Sequence, residues 1–163
     1  MRQLVMTAMA VFVLAAPVRA DEEKVPLDKV PKAVLEAAKK RFPKAEVVGV
    51  EKETENGKTF YEVEMKEAGK TIDVIVTPEG AISKIEKQID AKDLPKAVAS
   101  ALEEKYPKAT YKTIEVIYEV KNDKESLGYY EVLLVTAEKK TFEVEILADG
   151  KIKAEEEKKP GKK

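Results

Sequence analysis

The stretch VPKAVLEAAKKRFPKA, Val30 to Ala45, returns as LPKAVASALEEKYPKA at Leu94 to Ala109, 64 residues further on. A phrase repeated at this spacing means that one supersecondary unit is used twice, so any fold must hold two equivalent pieces. Within the phrase, Val34, Ala37, Ala38 and Phe42 share one face of a helix, and Val98, Ala101, Leu102 and Tyr106 repeat that stripe. Pro31 and Pro95 stand in the first turn, where a missing N–H is tolerated, and Asp93 is placed to cap the second helix. Pro43 and Pro107 end each helix just after the aromatic. Each phrase is expected to be a helix of about three turns.

Beyond each helix the apolar period drops to two. Val48 and Val50 alternate with polar neighbours, and Asn56-Gly57 is a strong hairpin signal. Tyr61, Val63 and Met65 follow, then Ala68-Gly69, then Ile72, Val74 and Val76, then Pro78-Glu79-Gly80, then Ile82 and Ile85. The second copy runs in parallel: Ile114, Val116, Tyr118 and Val120; a longer loop, Lys121 to Gly128; Tyr130-Glu131-Val132; Phe142, Val144 and Ile146; Asp149-Gly150. The expected fold is α+β: two tandem repeats, 25–90 and 91–157, each one helix followed by a four-stranded antiparallel sheet with the helix on one face. The charged tail from Glu155 onward, and in any case 158–163, is expected to be disordered.

Alternation also assigns sides. Tyr61, Val63, Met65, Ile72, Val74 and Val76 should lie under the first helix. The opposite, open face should carry Phe60, Glu62, Glu64, Asp73 and Ile75 from the first repeat. From the second it should carry Tyr129, Glu131, Leu133, Val135, Glu143 and Glu145, with Tyr111 and Ile117 as further apolar residues. The candidate binding residues are Phe60, Glu62, Ile75, Tyr129, Glu131, Leu133 and Val135, apolar anchors set among charges.

At the N-terminus, Arg2, the apolar run Leu4 to Ala16 and Val18-Arg19-Ala20 have the form of a secretory leader cleaved after about Ala20. The run is too short for a membrane span, which needs about 20 apolar residues. The protein is therefore expected to be periplasmic or secreted. The chain has no cysteine, so export supplies no disulfides and the core must suffice. Without Arg2 and Arg19, 28 basic residues face 31 acidic ones, and Arg41 is the single arginine left. That balance disfavours nucleic acid or an anionic membrane as a partner.

Catalytic chemistry lacks its usual residues. The chain has neither histidine nor cysteine, which removes Ser-His and Cys-His nucleophiles, His/Cys zinc sites and the commonest general base. Ser83 and Lys84 are strand neighbours pointing to opposite faces, so they form no dyad. Glu62, Glu64 and Asp73 could offer oxygens to a hard cation, but no calcium-loop motif surrounds them, and they read better as a solvated face. The seven glycines are scattered singly at turns, with no phosphate-binding run. The chain is expected to be non-catalytic, with no cofactor and no metal.

The pattern Phe42-Pro43, Tyr61-Glu62-Val63, Gly69-Lys70, Asp73-Val74, Val76 and Gly80-x-Ile82 resembles the PepSY and PepSY-like domains of exported bacterial proteins. The second copy has Tyr106-Pro107, Tyr130-Glu131-Val132, Glu143-Val144 and Gly150-x-Ile152, with Lys139-Lys140 in place of Gly69-Lys70. The tandem arrangement also resembles the beta-lactamase-inhibitor-like architecture, over about residues 25 to 157. The resemblance implies a non-enzymatic exported module whose open sheet grips, and could inhibit, a protein such as a peptidase. The alternative is a small-ligand or cation-binding envelope module using the groove between the repeats.

Overall fold

In the computed structural model, residues 23–55 and 57–158 are described. The expected leader, Met1 to Ala20, and the tail from 159 lie outside the described residues. The two helices are α1 (Lys32–Arg41) and α2 (Lys96–Lys105). The strands are β1 (Glu23–Lys24), β2 (Glu46–Glu55), β3 (Lys58–Glu67), β4 (Lys70–Val76), β5 (Ile82–Gln88), β6 (Thr110–Lys121), β7 (Lys124–Val135), β8 (Thr141–Ile146) and β9 (Ile152–Lys158).

The repeated phrase folds largely as its punctuation dictates. Pro31 and Pro95 occupy the N-cap positions, and the chain leaves the helix at Phe42 and Tyr106, whose N–H groups donate to Ala38 and Leu102 carbonyls. Asp93 does not cap α2; it ends a one-turn 3-10 helix, Ala91–Asp93, and neither α-helix has a side-chain N-cap bond. Proline at the N-cap fixes φ there, at −55° and −56°, which takes over the starting role expected of Asp93.

Turn chemistry sets the hairpins. Ala68 and Gly69, between paired Glu67 and Lys70, both have positive φ, 50° and 80°. Asn122 and Asp123, between paired Lys121 and Lys124, have φ 52° and 61°. Two consecutive positive φ values make the tight turn whose twist suits a two-residue hairpin. The long loop expected at Lys121 to Gly128 is thus a two-residue turn, and Lys124 to Gly128 belong to β7. The insertion lengthens β6 and β7 to 12 residues each, against 10 in β2 and β3, and a register shift at Ile117/Tyr118 absorbs the mismatch.

The expectation of two separate four-stranded sheets is overturned. The nine strands of the described residues form a single antiparallel sheet in the order β1 to β9. The two repeats are joined by β5 and β6, paired from Lys84↔Glu119 to Gln88↔Glu115. Alternation reports which face a residue occupies but not which strand lies beside it. Separate sheets would have left β5 and β6 as unpaired edges, and pairing them satisfies both rows of backbone groups. The tail expectation also needs correction: Glu155 to Lys158 belong to β9, where Glu155 pairs with Lys105 and Lys158 with Glu143.

Both helices cover the same face. Val34 and Ala38 of α1 are buried with Val50, Val63, Met65, Val74, Val76 and Ile85. Val98 and Leu102 of α2 are buried with Ile114, Val116, Val132, Leu134, Val144 and Ile146, and the Tyr106 and Phe142 rings meet at 5.6 Å. Tyr118 packs against both clusters and carries the core across the β5–β6 seam. On the same side, Lys87 Nζ lies 5.4 Å from the Phe42 ring and 4.9 Å from the Tyr118 ring, and Glu125 pairs with Arg41 and Lys87. The β6–β7 hairpin thereby reaches back to the end of α1. Among the described residues, no helix is long and apolar enough to cross a membrane.

The shared sheet makes unfolding a single event. Val63→Ala in the first cluster and Val132→Ala in the second are each expected to cost about 2 kcal/mol. Each should lower one common urea midpoint by far-UV and tyrosine signals alike, whereas independent repeats would unfold in two steps. The β8–β9 turn is a second test. Gly150 has φ 87°, and a Cβ there would meet the Ala97 carbonyl oxygen at 2.7 Å, whereas at Gly69 (φ 80°) nothing lies within 4 Å. Gly69→Ala should cost roughly 1 kcal/mol from backbone conformation alone, and Gly150→Ala clearly more, by the same denaturation measurement.

Candidate binding face

Among the described residues no α-helix covers the other side of the sheet, and cross-strand register lays out its side chains. Glu51 faces Glu62, Glu62 faces Ile75, and Ile75 faces Lys84. Glu64 faces Asp73, which faces Glu86, which faces Ile117, which faces Tyr129. Glu115 faces Glu131, which faces Glu145; Leu133 faces Glu143, and Val135 faces Thr141. Like charges directly opposite one another are destabilising, so these acidic rows work against the sheet.

Lysines offset part of that charge, unevenly. Lys153 pairs with Glu145 at 2.7 Å and Lys158 with Glu143 at 3.1 Å, both in the second repeat. In the first, Lys84 lies 3.7 Å from Glu86, and Lys24 lies 4.0 Å from Glu51 with its side chain 90% exposed. Asp73 is buried, 8% exposed, and its Oδ1 has no hydrogen-bond partner among the described residues. Burial, then the charges of Glu115, Glu86, Glu64 and Glu51, push its carboxyl up to about 7. Glu62 is pushed up to about 9 by burial first, then by a hydrogen bond with Glu53 and the charges of Asp73, Glu53 and Glu86.

The candidate residues named from sequence fall into two groups. Phe60, Glu62 and Ile75 sit on β3 and β4, while Tyr129, Glu131, Leu133 and Val135 lie along β7. Four inter-strand steps separate β3 from β7, about 19 Å. Ile75 is buried, as are Ile117 and Tyr129, yet none belongs to a helix-side cluster. Lys153 Nζ stands 3.8 Å from the Tyr129 ring centroid, one of the charged side chains lying over this apolar centre. Burial, followed by the charges of Glu145, Glu131, Glu86 and Glu119, raises the Tyr129 hydroxyl pKa. Phe60, Leu133 and Val135 are half-buried, Phe60 in a depression of about 330 Å³ beside Thr77 and Pro78. Tyr111 is a correction: it packs against the α2-side cluster, because a register shift between Tyr111 and Thr113 moves it off the open face.

One feature of this face escaped the sequence. A cleft of about 700 Å³ opens at the β1 end, where Pro26, Leu27 and Val48 form a wall beside Glu62, Glu64 and Asp73. It lies within the first repeat, whereas the expected groove between the repeats falls where β5 and β6 are hydrogen-bonded neighbours. Among the described residues, no group of three or more Asp, Glu, His or Cys is placed to hold a metal ion.

A helix-backed antiparallel sheet of this form is the fold of a set of solved structures from Bacteroides. A DUF2874 family protein from Bacteroides uniformis superposes with a TM-score of 0.63 at 17% identity, covering 78% of this chain and 88% of that one. A BLIP-like protein from Bacteroides fragilis gives 0.57 at 17% identity, over 80% and 88%. A Bacteroides eggerthii structure, described among "putative periplasmic proteins", gives 0.61 at 14% identity, over 78% and 88%. The chain itself belongs to the PepSY-like family: the family model described as "Putative beta-lactamase-inhibitor-like, PepSY-like" matches residues 17–84 and again 79–158. No curated protein matches the chain in sequence.

The acidic face has a thermodynamic signature. Asp73 and Glu62 hold protons in the fold that they would lose in the unfolded chain, so stability should fall as pH rises from about 4 toward 7 for Asp73 and toward 9 for Glu62. Asp90 and Glu155 shift downward and act only below their ordinary values of 3.8 and 4.5. Urea midpoints should be higher at pH 5 than at pH 8, and Asp73→Asn should remove on the order of 2 kcal/mol of that difference. A rise in stability from pH 5 to 8 would contradict the assignment.

Proposed function

We propose that this chain is a non-catalytic exported protein that recognises another protein across the open face of its sheet. The supporting observation is the direct opposition of carboxylates on that face, Glu64–Asp73–Glu86 and Glu115–Glu131–Glu145. A sheet with one wet side needs alternating or mixed charges, and rows of like charge weaken it. Local choices that work against the fold are the marks expected of a functional surface.

The face is also large enough. Nine strands span about 40 Å in the direction of strand order, and a stable interface needs only ~800 Å² per partner. Recognition would work by occlusion, with no bond made or broken. A peptidase is the first partner class to assay, following the family resemblance, and inhibition would follow if the gripped surface included its active site.

The test is charge reversal on the two sides. A partner isolated from the native exported proteome is purified and its affinity for the wild-type chain measured. Glu64→Lys with Glu131→Lys should weaken that affinity at least tenfold and alter its salt dependence. Glu36→Lys with Glu103→Lys, on the helices, should leave it unchanged. Loss of affinity in the helix variant with retention in the sheet variant would place recognition on the other side.

A further inference from the structure

The two repeats differ at the positions that neutralise the open face. In the second repeat, Lys158 reaches Glu143 at 3.1 Å and Lys153 reaches Glu145 at 2.7 Å. β5 and β9 are equivalent strands of 7 residues, placing Gln88 where the second repeat has Lys158 and Ser83 where it has Lys153. Both replacements are neutral and already engaged: Gln88 Oε1 accepts from the Thr71 N–H at 3.1 Å, and Ser83 Oγ donates to the Ile75 carbonyl at 3.2 Å. Asp73, the counterpart of Glu143, therefore lacks the lysine that its equivalent has. It is 8% exposed, its Oδ1 has no hydrogen-bond partner among the described residues, and the residue lines the cleft at the β1 end.

The same cleft gathers two of the few large apolar side chains left in water. Leu27 is 48% exposed and Val48 47%, and both line it beside Glu62, Glu64 and Asp73. Lys24, its side chain 90% exposed and 4.0 Å from Glu51, also lines it but is paired with Glu51 and not with Asp73. An apolar wall beside the buried Asp73 and the half-buried Glu62 and Glu64 suits an aliphatic stem that carries a cation, which lays its methylenes on the wall and its charged head on the acids. A hydrated divalent ion would have no use for the wall, and the described carboxylates are not gathered for ligation. The volume, about 700 Å³, admits a whole lysine or arginine side chain.

We infer that this cleft is a socket for a lysine or arginine side chain presented by the protein partner, Asp73 having been left without the counterpart of Lys158 to receive it. The inference rests on the open-face reading above and names the chemistry that the partner must supply. An inserted cation would meet Asp73, the counterpart of Glu143, and would be worth more there than a rim charge because that carboxyl is buried.

The test needs no partner. The protein is titrated with Nα-acetyl-lysine methylamide, Nα-acetyl-arginine methylamide, the uncharged stem Nα-acetyl-norleucine methylamide, and calcium chloride at constant ionic strength, with amide shifts read by NMR. The two cationic amides should give saturable millimolar shifts centred on Leu27, Val48, Thr71 and Asp73, at least tenfold tighter than norleucine methylamide. Ser83→Lys with Gln88→Lys, which transplants the second repeat's lysines, should abolish those shifts while the remaining spectrum reports an intact fold. Asp73→Asn should weaken them at least fivefold. Equal binding of norleucine methylamide, full binding by the double-lysine variant, or the same shifts at lower concentrations of calcium would each overturn the socket. Failure of the open-face reading looks different: the amides would bind while the partner remains indifferent to Glu64→Lys with Glu131→Lys.

Discussion

The pairing of β5 with β6 is the contact on which everything else depends. It turns two copies of a small unit into one sheet, carries the core across the seam through Tyr118, and keeps both helices on one side. Had the copies packed face to face, the acidic rows would have been buried against each other, at a desolvation penalty of several kcal/mol per unpaired charge. Edge-to-edge joining leaves them in water. The open face is therefore a consequence of how the repeats meet, and β1 extends the sheet on the far side through Glu23↔Lys52 and Lys24↔Glu51.

That geometry divides the chain into two regimes of constraint. On the helix side, Val63, Val74, Val98, Leu102 and Val144 are fully buried, and Gly80 and Gly150 bring turns against the Ala33 and Ala97 backbones. Close packing leaves some of these positions little latitude: Val34 and Val98 are alike, as are Ala33 and Ala97 where the turn glycines press, although buried Ala38 is answered by the larger Leu102. Exposed helix positions vary freely, as the exchange of Lys39-Lys40 for Glu103-Glu104 illustrates. The open face belongs to neither regime: its residues are partly buried, yet their charges oppose the fold.

Much of this was legible in the residues. The helix stripes, the Ala68-Gly69 turn and the sidedness of Val63, Met65 and Val74 follow from periods of 3.6 and 2, which local sterics impose. The joining of the repeats was not legible, because hydrogen-bonded neighbours leave no mark on alternation. Tyr111 was misplaced because a bulge shifts the period by one, and Asp93 because proline had already fixed the start of α2. The make-up of the open face was half visible. Glu62, Ile75, Tyr129 and Glu131 do lie on the open face, but their burial could not be read from a pattern that records only direction. The cleft formed by Leu27, Val48 and Asp73 joins residues far apart in sequence, which no local pattern brings together.

A signal for that cleft nevertheless existed in comparing the copies with each other. Aligning β5 with β9 sets Ser83 against Lys153 and Gln88 against Lys158, and each lysine answers an acid. The acid is kept at Asp73 while its lysine is missing. Retaining a charge while dropping its counter-charge is unfavourable for a lone protein, as the upward shift at Asp73 reflects. Two copies of one unit thus act as controls for each other. The second shows how this face is neutralised from within, and the first shows the same frame with that neutralisation left to whatever binds there.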